Sequence, residues 1–130
     1  MTKAQIFPAT FIEDQGWTAL ARIENPSGSL ITQATLSTIT YQVYDATTER
    51  SSGATALTIS SVVFDTLQGT SLSDSRWAID STGYNFRAEL PASVFPSDGK
   101  DYRVEFKFTP TSGAAFYLLF EGECIALRGS

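Results

Sequence analysis

The sequence predicts an all-β fold, an antiparallel β-sandwich of about seven to eight strands. Three observations predict it. Ser and Thr supply 31 of the 130 residues, and Phe and Tyr another 14. These residues suit the pleated, half-buried surface of strands. Segments that alternate apolar and polar residues recur, with turn residues between them. Met occurs once and Leu is modest, so long amphipathic helices are not favoured. The length fits one domain that buries roughly two-thirds of its unfolded surface. Residues 1–11 read as an N-terminal arm or edge strand, and 12–130 as a single sandwich domain.

Taken in order, Phe7 to Glu13 reads as a first strand. Pro8 restricts it to an edge or a start position, and Asp14-Gln15-Gly16 offers a hairpin turn. Trp17 to Glu24 follows, with Trp17, Ala19, Ala21 and Ile23 on one face. Asn25-Pro26-Ser27-Gly28 ends it by turn chemistry. Leu36 to Asp45 alternates again through Ile39, Tyr41 and Val43. Residues 46–55 read as a polar loop. Ala56 to Leu67 reads as one strand whose phase slips at Ser60-Ser61, the mark of a bulge or bend. Gln68 to Ser75 is an exposed loop.

Arg76 to Asp80 and Tyr84 to Leu90 flank Ser81-Thr82-Gly83, a hairpin candidate. Pro91 to Pro96 is a short crossover, and Ser97-Asp98-Gly99-Lys100 a turn. Tyr102, Val104, Phe106 and Phe108 alternate with Arg103, Glu105 and Lys107, the cleanest period of two in the chain. These four, with Phe86, Leu118 and Phe120, are the expected core. The last strand, Ala115 to about Ile125, is apolar on both faces and is expected to be central or covered on its second side. This arrangement suits an immunoglobulin-like sandwich, with Tyr102 placed as a tyrosine corner is; a jelly roll is the alternative. The chain lacks the Cys…Trp…Cys spacing of antibody-type domains.

The composition also narrows the chemistry. There is no histidine and only one cysteine, Cys124. That removes Ser-His and Cys-His nucleophile pairs, an intrachain disulfide and a thiolate metal cluster. Nine basic residues against fourteen acidic ones leave a net charge of −5, unsuited to nucleic acid. The longest apolar run near the C-terminus, Ala114 to Phe120, is seven residues, too short to cross a bilayer. The N-terminus shows no apolar signal region, and the lone cysteine agrees with synthesis in a reducing cytosol.

Three groups of residues invite a functional reading, and each has a plainer one. Asp74, Asp80, Asp98 and Asp101 sit near turns, as calcium ligands or a glycosidase pair would. Turn chemistry explains them as well, and no Asp-x-Asp-x-Asp-Gly loop is present. Trp17, Trp77 and Tyr84 would serve as a sugar-stacking platform, but strand periodicity assigns them to the core. Arg76, Arg87 and Arg103 form no basic stripe; Glu89 and Glu105 share the polar faces of Arg87 and Arg103, which points to cross-strand ion pairs.

Four segments carry a resemblance: Val63 to Gln68, Ser75 to Phe86, Leu90 to Pro96 and Tyr102 to Phe106. Together they resemble a small protein encoded among the structural genes of tailed phages and prophages. The resemblance covers roughly residues 36 to 120 and has no catalytic signature. It implies a virion component made in the host cytoplasm: a capsid decoration (cement) protein, or a neck or tail accessory. It carries over no catalytic residues, and the lack of histidine, of a thiolate pair and of a phosphate-binding glycine loop gives the expectation of no cofactor and no metal. The implied partners are the major capsid protein or other virion subunits, with a homo-oligomer in the assembly and neither nucleic acid nor membrane. A carbohydrate-binding module is the reading from another class. The expected interface is the N-terminal arm, through Ile6, Phe7 and Phe11, and the long polar loop, through Gln68, Thr70 and Leu72.

Overall fold

Strict alternation builds two of the three ten-residue strands of the fold. The computed structural model describes residues 5–12, 15–45, 50–51, 53–69, 82–91 and 101–125. In chain order the strands are β1 (Gln5–Pro8), β2 (Phe11–Ile12), β3 (Trp17–Ala21), β4 (Leu36–Asp45), β5 (Arg50–Ser51), β6 (Thr55–Leu57), β7 (Val63–Gln68), β8 (Tyr84–Leu90), β9 (Asp101–Pro110) and β10 (Phe116–Ile125). They form two sheets. The larger runs β1-β10-β9-β4-β5, with β2 continuing along β10 and β6 along β4; the smaller runs β3-β8-β7. Strands β3, β8 and β7 facing β4, β9 and β10 is the B-E-D against C-F-G partition of an immunoglobulin-like sandwich. The first strand departs from the constant-type pattern, since it joins the last strand instead of β3.

The core fills the space between the sheets. Phe106 sits opposite Leu118 on one side and Tyr41 on the other. Tyr102, Val104, Phe106, Phe108, Phe86, Leu118 and Phe120 are all buried, as their alternation predicts. Ala19 and Ala88 pair across the small sheet, and Ala21 pairs with Phe86. The Phe86 ring meets Phe106 edge-on at 5.0 Å and Phe108 at 5.2 Å. Edge-to-face rings add about 0.5–1.5 kcal/mol beyond the area they bury. Strand β10 lies between β1 and β9, and Leu119 is buried although it points away from this core. The last strand is therefore interior, as its two apolar faces predict.

Three expectations need correction. The first segment makes no hairpin with β3. It runs parallel to β10, with Gln5 beside Leu118, Phe7 beside Phe120 and Phe11 beside Cys124 in one unbroken register. Gln15 does form a turn, donating to the Ile12 carbonyl at 3.1 Å, but that turn carries the chain to the other sheet. Second, Ala56 to Leu67 is not one strand. A helical turn at Ile59–Val62 divides β6, in the large sheet, from β7, in the small one. The phase slip at Ser60-Ser61 marks a change of sheet. Third, residues 46–55 contain β5, which pairs with β4 through Arg50 and Ser51. The expected strand at 76–80, the turn at 97–100 and the crossover beyond Pro91 lie outside the described residues.

Two polar features lock the small sheet. Asn85 lies on the face opposite Phe86, yet it is buried. Its side-chain oxygen accepts from Ile23 N–H at 2.7 Å, and its amide donates to the Ile23 carbonyl at 3.0 Å. The side chain thus acts as a peptide group and extends the β3–β8 ladder past Ala21. On the far edge, Gln33 in the 3₁₀ turn Gln33–Thr35 donates its side-chain amide to Val63 O at 2.9 Å and its backbone N–H to Asp65 Oδ1 at 2.7 Å. Part of the open edge of β7 is thereby covered.

Candidate interaction surface

The N-terminal strand sits at the seam where the two sheets meet on one side. Register places Phe7, Ala9 and Phe11 on the core-facing side of the large sheet, because parallel partners share a face. Two of these aromatics have different fates. Phe11 is fully buried, edge-on to Trp17 at 5.1 Å and to Tyr102 at 6.4 Å. Phe7 reaches the lip of the seam. Its ring tilts over Phe120 at 5.7 Å, but 37% of the residue stays exposed. Trp17, from β3, packs on Phe120 at 4.9 Å and closes the seam beneath.

Between β1 and β2 the chain presses against β10. Ala9 N–H donates to the Glu121 carbonyl at 3.0 Å. The Ala9 carbonyl then occupies the space a side chain at 122 would need; a Cβ there would stand 1.6 Å from its oxygen. Only glycine fits at Gly122. This contact anchors the arm at its midpoint.

The backbone on the outer side of β1 follows from the same bond. Ala9 points its N–H at β10, so Gln5 and Phe7 do too, and the groups of Ile6 and Pro8 point away. Pro8 therefore falls where its missing N–H costs no ladder bond, the position an edge proline takes. Ile6 keeps both an N–H and a carbonyl facing outward.

The expected interface residues thus separate. Ile6 and Phe7 lie on the edge strand; Phe11 is taken into the chain's own core and offers no side-chain surface. Gln68 ends β7, half-buried, with its side-chain amide donating to the Thr66 carbonyl at 3.1 Å. Thr70 and Leu72 lie outside the described residues. Trp17 of β3 packs on β10, whereas β7 is held by the 3₁₀ turn that leads into β4. Gln68 therefore stands on the other flank from β1, on a surface separate from Phe7. Sequence reasoning missed Tyr117 and Ile125, exposed on the outer face of β10. Their signal was available: they share their spacing with the exposed, acidic Glu123.

The remaining candidates resolve into structure. Trp17 pairs opposite Leu90, which puts it about 20 Å along β8 from Tyr84. Tyr84 is itself buried against Phe64, so these two build no shared platform; Trp77 lies outside the described residues. Arg103 bonds Glu121 across the β9–β10 pair, with Nε and Nη2 each 2.7 Å from Oε2, and approaches Glu105 at 3.7 Å. The Glu121 hydrogen bond, aided by the charges of both glutamates, raises the guanidinium pKa further above its ordinary value. Arg87 instead pairs with Glu89 two residues on along its own strand, not across strands as expected, because alternation puts both side chains on one face. Asp101 lies on the open outer surface of β9, across from Glu123; Asp74, Asp80 and Asp98 lie outside the described residues. Among the described residues no three His, Cys, Asp or Glu side chains gather as a metal site would require.

At one pole, the turn at 25–28 and the β9–β10 connection enclose an open groove of about 410 Å³. Its floor is Ile31, Leu36 and Phe116, and its walls include Pro26 and Pro110. Asn25 spends its side-chain oxygen on Ser27 N–H, the Ser27 hydroxyl and Ser29 N–H. Thr111 N–H donates to the Thr35 carbonyl at 3.0 Å. These polar groups hold the loops together. No protein-family model matches the chain, and no curated protein matches it.

Proposed function

We propose that the protein is a non-enzymatic structural component of a tailed-phage virion, a capsid decoration protein that binds between head subunits. One observation carries the reading. The edge strand Gln5–Pro8 is uncharged, presents Phe7 at an open seam, and flanks a core whose central rings pack without it. An exposed aromatic beside unpaired backbone groups is the chemistry of an attachment site. The resemblance to phage structural proteins and the histidine-free composition support the same class. Attachment here consists of burial and hydrogen bonding, with no turnover.

The test is mass spectrometry of particles purified from cells that carry the gene. The protein is expected in them, on the order of hundreds of copies for a head decoration and about six to twelve for a neck or tail accessory. A version lacking residues 1–8 is expected to keep its circular dichroism spectrum and lose particle attachment. Absence from purified particles would overturn the reading.

A further inference from the structure

We infer that two copies of this chain pair edge to edge through β1, antiparallel, about a twofold axis at Ile6. The inference concerns the free chain in solution and uses the same edge that the proposed function gives to the particle, so the two pairings exclude each other on any one copy. It rests on the outward backbone of the edge strand. Ile6 presents one donor and one acceptor on the same side, and among the described residues nothing pairs with that side of β1. In an antiparallel ladder, a residue that directly faces itself exchanges both bonds with its own copy. Ile6 is the described residue of β1 that satisfies this condition. Pro8 also points outward but has no N–H, so an axis there would make no bond.

The occupant is a second copy because the edge is complementary to itself. The segment Gln5-Ile6-Phe7-Pro8 carries no charge, while the whole chain carries −5. Two copies repel least where each is neutral. With the axis at Ile6, each Phe7 lies opposite the other copy's residue 5, and both rings fall on one face of the joined sheet. The exposed part of Phe7 at the seam then gains a neighbour. Proline at position 8 shortens the open edge, which favours one register over sliding alternatives. The product is a single sheet running through both copies, with β1 and its mate at the centre.

The test uses the full chain in sedimentation equilibrium at concentrations up to about 1 mM. A monomer–dimer equilibrium is expected. Ile6→Pro removes the outward N–H without touching a bond to β10, so it is expected to weaken self-association at least about tenfold. The second measurement is the exchange rate of the Ile6 amide hydrogen in the unaltered protein. It is expected to slow as concentration rises, while the Phe7 amide, bonded within the chain, does not respond. This reading remains decisive if Ile6→Pro fails to fold. A wild-type chain that stays monomeric throughout, a dimer that survives Ile6→Pro, or an Ile6 amide indifferent to concentration overturns the pairing.

Discussion

Strand β10 has two flanks, and they are held in different ways. On one side β9 pairs antiparallel over eight residue positions, joined by the short connection at 111–115. On the other side β1 pairs parallel over four positions and comes from the far end of the chain. The first pairing closes a small loop and brings Phe106, Leu118 and Phe120 together. The second joins segments more than a hundred residues apart, and long loops cost more entropy to close. Parallel pairing is also slightly weaker per residue. The contrast teaches a division of labour. Stability resides in the β4–β9–β10 ladder and the rings it presents, and the N-terminal edge is the part the fold can lend to a neighbour.

The largest test of this division strikes the core. Phe106 touches Tyr41, Phe86 and Phe120. Phe106→Ala is expected to cost about 3–5 kcal/mol in urea unfolding, much of the stability of an ordinary domain. A loss below about 1 kcal/mol would place the stabilising centre elsewhere.

Asn85→Ala probes the small sheet. It leaves the Ile23 N–H and carbonyl without the side chain that satisfies them, at an expected cost of about 2–3 kcal/mol. Thermal melts of this variant and of Asn85→Asp, which keeps the acceptor but not the donor, separate the two bonds.

Gly122→Val acts on the edge alone. Its side chain meets the Ala9 carbonyl, so the arm has to lift from β10. A loss of about 1–3 kcal/mol is expected, with amide protection lost over residues 5–12 and kept in β9. Equal loss of protection in β9 would show that the two flanks are one cooperative unit.

Glu121→Gln is expected to have the smallest effect, under about 1 kcal/mol, because the Arg103 pair is two-fifths exposed on both sides. Raising the salt concentration should shrink the difference further.

How much of this was legible depends on how far each signal reaches along the chain. The bounds of β4 were readable because Ile39, Tyr41 and Val43 alternate strictly, and β9 announced itself through Tyr102, Val104, Phe106 and Phe108. Period-two patterns are local. The partner of β1 was not readable, because a parallel pairing between chain ends leaves no turn residues to mark it. The sheet change at Ile59–Val62 was visible as a slip at Ser60-Ser61, but a bulge gives the same slip. For the site, Ile6 and Phe7 stood out as apolar residues on a weak strand. Phe11 looked identical to them, and only the rings of Trp17 and Tyr102, from distant strands, draw it inside. Asn85 alternates with the apolar Tyr84 and Phe86, and nothing near it in sequence reveals that the Ile23 backbone closes over it.

Residue-resolved hydrogen exchange on the unaltered protein tests the division most directly. Amides of β9, Phe106 among them, are expected to exchange only through global unfolding, and the Phe7 amide through local opening at a clearly lower free energy. If Phe7 proves as strongly protected as Phe106, the edge is part of the core and the two flanks of β10 are one unit.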